Sequence, residues 1–292
     1  MFVSGFTIAR NVVRADYPLK EAIFSIIDLC DEFVIAVGKS EDETLAFVQS
    51  FQHPKIKIIE TEWDDTLREG GRVLAVETDK AKAAVNPQAD WLFYIQADEC
   101  VHEQDLPAIR HAMEKNLHNP QVEGLLFDYL HFYGSYDFVG DSRRWYRHEV
   151  RIIRNRKDIF SYRDAQGFRK LPNDKLVVAH SGAKIFHYGW VKHPEAQQKK
   201  QMQFHRMWHD DDYMQKHVAG AHTFDYGNID SLQKFTGTHP AVTQERINRM
   251  NWTFDFDITR KNMGLKSRIL YAIERLTGWR PGEYRNYRLK QF

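Results

Sequence analysis

The sequence predicts an α/β protein with a mostly parallel central sheet flanked by helices. Up to about residue 133, apolar segments of strand length alternate with segments whose apolar residues recur at helical spacing. This alternation favours βαβ units, in which crossover helices join parallel strands. Right-handed crossovers would place helices on both faces of the sheet.

A local pattern predicts each element. Residues 2–9 form an apolar first strand, and Asp16 is placed to cap a helix whose apolar stripe runs from Leu19 to Cys30. The elements expected next are strands at Phe33–Val37 and Ile56–Glu60, a short helix after the polar turn Gly38–Thr44, a helix opened by Gly70-Gly71, a strand at Trp91–Gln96, a helix marked by Leu106 to Leu117, and a strand at Glu123–Phe132.

The alternation ends after about residue 133. Short strands at Val150–Ile153 and Leu176–Val178 lie among loops, and from Glu195 onward the pattern is polar and helical. We therefore expect a first domain over residues 1–190 and a helical C-terminal segment over residues 191–292.

Composition excludes several classes of protein. The net charge of +1 gives no general electrostatic case for nucleic acid as a partner. Cys30 and Cys100 form no CxxC pattern, which argues against structural zinc and a disulfide framework. The N-terminus lacks the basic and apolar regions of a signal peptide, and no run of eighteen apolar residues occurs, so we expect a cytoplasmic protein.

An apolar run at Trp91–Gln96 ends in the acids Asp98 and Glu99. Open α/β sheets bind ligands in the crevice at the carboxyl ends of their strands, so we expect both carboxylates to face that crevice. A carboxylate there is a natural ligand for Mg²⁺ or Mn²⁺. The alternative is a helix N-cap and a solvated acid.

Four stretches occur in a characteristic order. They are Ala9-Arg10-Asn11 at the end of the first strand, the strand and turn Phe33–Thr44, Gln96-Ala97-Asp98-Glu99, and Ile185-Phe186-His187-Tyr188-Gly189-Trp190. Together they resemble the family 2 glycosyltransferases of the GT-A nucleotide-sugar-binding fold. The second stretch is similar to that family's strand followed by D-x-G-S-x-D-x-T, the third to its D-x-D motif, and the fourth to its H-Y-G segment. Two positions differ from these family motifs, since the chain has Val37 and Gln96 where the family usually has Asp.

The resemblance implies an enzyme that transfers a sugar from a nucleotide-diphospho-sugar donor to a saccharide or lipid-linked acceptor, such as an envelope polysaccharide, with inversion and with Mg²⁺ or Mn²⁺ as cofactor. Asp98 would hold the metal, and His187 would be a second ligand or a phosphate contact; a satisfied core histidine is the alternative. The implied nucleotide-sugar site comprises Ala9, Asn11, Val37, Ser40, Gln96, Ala97 and Asp98. Arg72 and Lys80 could face phosphate, with solvated helix charge as the alternative.

Inverting transfer also needs a base that deprotonates the acceptor hydroxyl. Asp164 is the first candidate, because relatives often place an acid after the second set of strands, and Glu149 is the second. The alternative for both is a surface acid paired with one of the nearby arginines. Those arginines, which could bind anionic substrate groups or lie at the surface, are Arg143, Arg144, Arg147, Arg151 and Arg154.

Two further patterns have a structural and a functional interpretation. His205 and His209, followed by Asp210-Asp211-Asp212, have a spacing that binds metal on one helix face or lines an acceptor groove. The basic tail from Leu265 to Phe292 carries an apolar stripe. That stripe either contacts an anionic membrane at its inner face or packs against the first domain.

Two other functions remain open at this point. A nucleotidyltransferase would be expected to have a glycine-rich, basic phosphate loop after the first strand, and Arg10–Arg14 contains no glycine. A non-catalytic nucleotide- or sugar-binding protein with a degenerate site is favoured by Val37 and Gln96.

Overall fold

The computed structural model describes residues 1–208 and 222–290. The strands are β1 (Val3–Ala9), β2 (Glu32–Gly38), β3 (Ile56–Thr61), β4 (Trp91–Tyr94), β5 (Glu99–Val101), β6 (Gly124–Tyr133), β7 (Phe138–Gly140), β8 (His148–Arg154), β9 (Ile159–Tyr162), β10 (Gly167–Lys170), β11 (Asp174–Trp190), β12 (Leu232–Lys234) and β13 (Tyr287–Leu289). The helices are α1 (Leu19–Phe24), α2 (Thr44–Gln49), α3 (Arg72–Ala83), α4 (Leu106–Asn116), α5 (Pro194–Arg206), α6 (Gln244–Asn248) and α7 (Leu265–Thr277).

The α/β fold class is confirmed, with a mixed sheet in the order β3-β2-β1-β4-β8-β6-β11-β10-β9. The first four of these strands pair in parallel, as the alternation with helices predicts. β8 lies antiparallel between β4 and β6, and β9 to β11 pair as antiparallel neighbours, so the sheet is partly antiparallel. Antiparallel strands need only short connections, and such connections replace crossover helices in the region where the alternation ends.

The core lies on both faces of the sheet. In β4, Trp91 and Phe93 pack into one cluster with residues of α1 and α4, whereas Leu92 and Tyr94 pack into a second cluster with Ala81 of α3. A central strand covered on both faces has a continuous apolar run, which is why β4 was recognisable in the sequence. It ends at Tyr94, one residue before Gln96-Ala97-Asp98.

The first helix differs from its prediction. Asp16 has a φ of 49° and does not cap α1, which begins after Pro18 without a side-chain cap. The apolar stripe up to Cys30 is divided between α1 and a 3₁₀ turn at Ile27–Leu29. Both cysteines are buried and unpaired by disulfide.

The C-terminal segment contributes strands as well as helices, although a helical segment was expected. β12 pairs with β7 and β13 pairs in parallel with β11, so residues beyond 190 extend the sheet of the first domain. Within residues 1–208 and 222–290, no helix has the length and apolar character needed to cross a bilayer.

Candidate functional site

A cavity of about 980 Å³ opens where β1 and β4 end. This position matches the crevice that α/β sheets use for ligands, and the volume lies at the upper end of the range for small-molecule sites. The lining includes Asn11, Gln96, Ala97, Asp98, Glu149, Asp164 and His187 from the predicted set, together with Arg10, Tyr17, Trp63, Asp65 and Lys200.

Several polar atoms of the lining are buried and have no hydrogen-bond partner among the described residues. They are Arg10 Nε, Trp63 Nε1, Trp145 Nε1, His148 Nδ1, Glu149 Oε2 and Asp164 Oδ1. Buried polar groups in folded proteins are normally paired, because an unpaired one costs free energy. Their concentration around one cavity indicates that a polar ligand belongs there.

Asp98 is the acid at the centre of the site. Its Oδ2 accepts a hydrogen bond from Lys200 Nζ at 2.9 Å, and its Oδ1 lies 3.8 Å from His187 Nε2. Burial by itself would raise the pKa of Asp98, but the positive charge of Lys200 and its hydrogen bond to Asp98 outweigh burial and hold that pKa well below its usual range. Asp98 is therefore a carboxylate at neutral pH.

A second histidine sets the orientation of His187. His131 Nε2 donates to the carbonyl oxygen of Tyr146 at 2.9 Å, and its Nδ1 lies 3.1 Å from His187 Nδ1. Burial lowers the pKa of His131 well below its usual value, so its ring is neutral and its Nδ1 accepts. His187 Nδ1 must then carry the donated proton, which leaves the Nε2 lone pair of neutral His187 directed to the side of Asp98.

The pair Asp98 and His187 fits a divalent cation. Gly189 lies next to both, and a Cβ at that position would come within 2.6 Å of His187 Nε2 and 2.8 Å of Asp98 Oδ2. Glycine therefore keeps open the space between an oxygen and a nitrogen donor. Over the described part of the chain, no group of three or more His, Cys, Asp or Glu residues gathers for a metal. Phosphate and water oxygens would have to complete the shell, as is usual for Mg²⁺.

Glu99 does not face the cavity, which corrects the expectation for this acid. Its side chain is fully buried and receives two hydrogen bonds from Arg151, at 2.9 Å and 2.8 Å, and one from Tyr129 at 2.8 Å. Asp98 and Glu99 are adjacent, yet Asp98 lines the cavity and Glu99 forms a buried ion pair with Arg151. Arg151 is accordingly neither a surface residue nor a substrate contact.

Asp164 lies in a strained turn on the cavity wall. Both neighbours, Arg163 and Ala165, have positive φ angles, 56° and 61°, which non-glycine residues adopt at a cost. Gln96 Nε2 donates to the Ala165 carbonyl oxygen at 3.1 Å and so ties this turn to the end of β4. Burial raises the pKa of Asp164, and its Oδ1 is one of the unpartnered atoms. This arrangement presents an acidic side chain with an unpartnered oxygen toward the cavity.

Glu149 lies in β8, also on the cavity, but in a drier environment. Burial raises its pKa to about 8, and Glu149 Oε1 accepts a long hydrogen bond from Gln166 Nε2 at 3.4 Å. At neutral pH the side chain is therefore protonated. A protonated acid cannot accept a proton, so the structure favours Asp164 over Glu149 as a base.

Two of the residues predicted to bind nucleotide have structural contacts instead. Ser40 Oγ accepts from the Asn11 amide at 3.1 Å and donates to the Gly38 carbonyl at 2.8 Å, while Asn11 Oδ1 accepts from the Glu41 amide at 2.8 Å. These bonds join the loops that follow β1 and β2. Asn11 also lines the cavity, whereas Ser40 does not.

Four other predicted residues lie away from the cavity. Ala9 and Val37 are buried in the core cluster on one face of the sheet. Arg72 is exposed at the start of α3, and Lys80 is exposed and pairs with Glu77 at 2.6 Å. None of the four lines the cavity, because the side chains at these strand and helix positions point into the core or to solvent.

The remaining arginines mostly bind within the protein. Arg143 pairs with Glu274 at 3.2 Å and Arg147 with Glu283 at 3.0 Å, which fastens the C-terminal segment to the cavity rim. Arg154 lies 3.8 Å over the ring of Trp91. Arg144 is exposed and lines the cavity. His205 lines it too, whereas His209 and Asp210–Asp212 lie outside the described residues.

Sequence reasoning missed four residues of the site, Arg10, Trp63, Asp65 and Lys200. Arg10 donates to both oxygens of Asp65, at 2.5 Å and 3.0 Å, and its guanidinium lies 5.3 Å from the Trp63 ring. The available signal was their position close to strand ends, since Arg10 directly follows β1 and Trp63 lies two residues after β3. For Lys200, which lies 102 positions from its partner Asp98, no local pattern exists.

No protein-family model and no curated protein sequence matches the chain. Among solved structures, TarS of S. aureus is 10% identical with a TM-score of 0.38, and the alignment covers 70% of this chain and 64% of that one. Glucosyl-3-phosphoglycerate synthase of Mycobacterium tuberculosis, in complex with Mg²⁺ and UDP, is 17% identical with a TM-score of 0.30, over 45% and 43%. The 4-diphosphocytidyl-2C-methyl-D-erythritol synthase of Anaerococcus prevotii is 11% identical with a TM-score of 0.32, over 53% and 71%.

The chain spans less than two thirds of the length of the first two of these proteins.

Proposed function

We propose that this protein is a glycosyltransferase that moves a sugar from a nucleotide-diphospho-sugar to a saccharide or lipid-linked acceptor, with inversion at the anomeric carbon. One observation supports the proposal above the others. A single cavity at the ends of the parallel strands contains an ionised carboxylate, Asp98, beside the lone pair of His187, and a separate acid, Asp164, with a free oxygen.

The two parts of the site would serve the two sides of the reaction. A nucleoside diphosphate leaves only when its developing negative charge is neutralised. Mg²⁺ or Mn²⁺ held by Asp98 and His187 would supply that charge without proton transfer. Lys200, whose ammonium lies 2.9 Å from Asp98, would add a positive charge to the same region.

On the acceptor side, Asp164 would take the proton of the attacking hydroxyl. The acceptor oxygen forms a bond to the anomeric carbon, the bond from that carbon to the diphosphate breaks, and the proton moves to the Asp164 carboxylate. Attack from the side opposite the diphosphate inverts the centre. The nucleoside would lie near Arg10 and Trp63, since both residues line the same cavity as Asp98 and Trp63 offers an aromatic ring.

Titration calorimetry of UDP and GDP into the protein, with and without Mn²⁺, tests this function. We expect one nucleotide to bind only with metal, and binding to vanish in Asp98→Asn. Asp28→Ala, which removes an exposed acid away from the cavity, is the matched control and should bind as the wild type does. If no nucleoside diphosphate binds under either condition, the proposal is wrong.

Donor turnover separates an enzyme from a non-catalytic binding protein. With the nucleotide identified, the corresponding nucleotide-sugars are incubated with the protein and Mn²⁺, and release of nucleoside diphosphate is measured. We expect slow hydrolysis without an acceptor and none in Asp98→Asn. Tight nucleotide binding with no release from any donor would instead favour the degenerate binding site.

We further propose that α7 docks on an anionic membrane, which would place the enzyme at the inner face near a lipid-linked acceptor. One face of α7 packs on the protein, where Tyr271 donates to Asp141 at 2.8 Å. A second face carries exposed apolar residues, Leu265 (77% exposed), Ile269 (54%) and Leu276 (86%). They are accompanied by the basic residues Lys266, Arg268 and Arg275. Apolar and cationic groups side by side suit a surface of anionic lipids.

Co-sedimentation with vesicles tests the docking. We expect binding to vesicles that contain phosphatidylglycerol, little binding to pure phosphatidylcholine, and a loss of binding at high salt. Leu276→Asp should weaken it, because the substitution places a charge in the apolar stripe. Val242→Asp, which changes an exposed apolar residue outside α7, is the control. Equal binding of wild type and Leu276→Asp would contradict the proposal.

A further inference from the structure

Lys200 occupies an unusual position for a lysine. Its ammonium donates to Asp98 Oδ2 at 2.9 Å and to the Gly189 carbonyl at 2.8 Å, and it lies 5.0 Å from the ring of Tyr17. The side chain is only 11% exposed, yet it lines the cavity. Because an ammonium has three N–H donors, these two bonds leave one for a further acceptor.

The residues that hold Lys200 are those that would hold the metal. Asp98 provides one oxygen to Lys200 and turns the other to His187, while Gly189 provides both the carbonyl that accepts from Lys200 and the open space beside His187 Nε2. Two cations at one carboxylate repel each other strongly in a buried site. A divalent ion and the ammonium therefore cannot both be held there at full strength.

We propose that Lys200 is a resident counter-cation of Asp98, which competes with the divalent ion for that carboxylate and binds the diphosphate once the ion has entered. This inference rests on the proposed function. In the absence of metal, Lys200 neutralises a buried acid. When metal and nucleotide bind together, the flexible four-carbon stem lets the ammonium move from Asp98 to a phosphate oxygen. The positive charge then remains in the site throughout.

The inference predicts effects of opposite sign on two ligands. Without the ammonium, Asp98 is free for metal, so Lys200→Met should bind Mn²⁺ alone more tightly than the wild type. Without the Lys200 ammonium, the diphosphate also loses a positively charged partner, so the same variant should bind the nucleotide more weakly at saturating Mn²⁺. We expect about tenfold for each change, within the usual range for coupling between two ligands. A residue that only supports the fold would weaken both.

The experiment measures Mn²⁺ binding to the full chain by electron paramagnetic resonance, and nucleotide binding by calorimetry at saturating Mn²⁺. Lys20→Met is the matched control, because it removes the same charge from an exposed position that does not line the cavity. Lys200→Gln is the second variant, since it keeps a polar side chain if Lys200→Met fails to fold. Lys200→Arg keeps the charge and should leave Mn²⁺ binding within about twofold of the wild type.

The outcomes separate the two proposals. Tighter Mn²⁺ binding together with weaker nucleotide binding, in Lys200→Met or Lys200→Gln and absent from Lys20→Met, supports the inference. Unchanged or weaker Mn²⁺ binding in both Lys200→Met and Lys200→Gln overturns the inference. The proposed function would still stand in that case if the wild type binds the nucleotide with Mn²⁺. A wild type that binds neither ligand would overturn the proposed function and this inference together.

Discussion

Replacement of Glu149 by Gln should stabilise the protein at neutral and alkaline pH. Burial raises the pKa of Glu149 from 4.5 to about 8. Between these two values the unfolded chain loses the proton while the folded chain keeps it, so the free energy of unfolding falls as pH rises through that window. At about 1.4 kcal/mol per pH unit, the wild type loses about 3 kcal/mol between pH 4.5 and pH 7. A glutamine side chain has no such proton and escapes this loss.

Urea denaturation of wild type and Glu149→Gln at a series of pH values from 4 to 9 measures the effect. The two free energies of unfolding should lie close together near pH 4 and diverge by about 3 kcal/mol at pH 7, with the Glu149→Gln variant the more stable. Glu245→Gln, at an exposed surface pair, should follow the wild type throughout. Parallel curves for wild type and Glu149→Gln would refute the reasoning, because they would mean that Glu149 is ionised in the folded protein.

Three further substitutions probe the site and its support. Asp164→Asn should lower kcat by about 10²- to 10⁴-fold, because it removes the general base. Nucleotide affinity, measured by calorimetry, should not change. A kcat near the wild-type value would exclude Asp164 as the base. Gln96→Glu removes the side-chain N–H that donates to the Ala165 carbonyl. Because the turn that carries Asp164 is then no longer held in place, kcat should fall about tenfold, with little change in melting temperature. Arg151→Met leaves Glu99 buried without its bidentate partner and should cost about 3–5 kcal/mol in urea denaturation; addition of Glu99→Gln should restore part of that loss.

The elements that periodicity specifies were predictable. The parallel strands β1 to β4 and the helices between them follow from local apolar patterns, because each must bury one face or both in the core. The position of Asp98 after a fully buried strand also predicted its place at the cavity. The strand predicted at Val150–Ile153 is part of β8, but its antiparallel position between β4 and β6 was not predictable, since strand pairing over long sequence separation depends on the whole sheet.

The roles of individual side chains were also predictable only in part. The sequence by itself determined the α/β class, the crevice at the strand ends and the candidate acids Asp98 and Asp164. Only the tertiary structure decided that Glu99 pairs with Arg151, that Val37 lies in the core, and that Lys200 reaches Asp98 across 102 positions. The physical reason is that periodicity reports which face of an element is buried, whereas ion pairs and hydrogen bonds depend on which distant element packs against it.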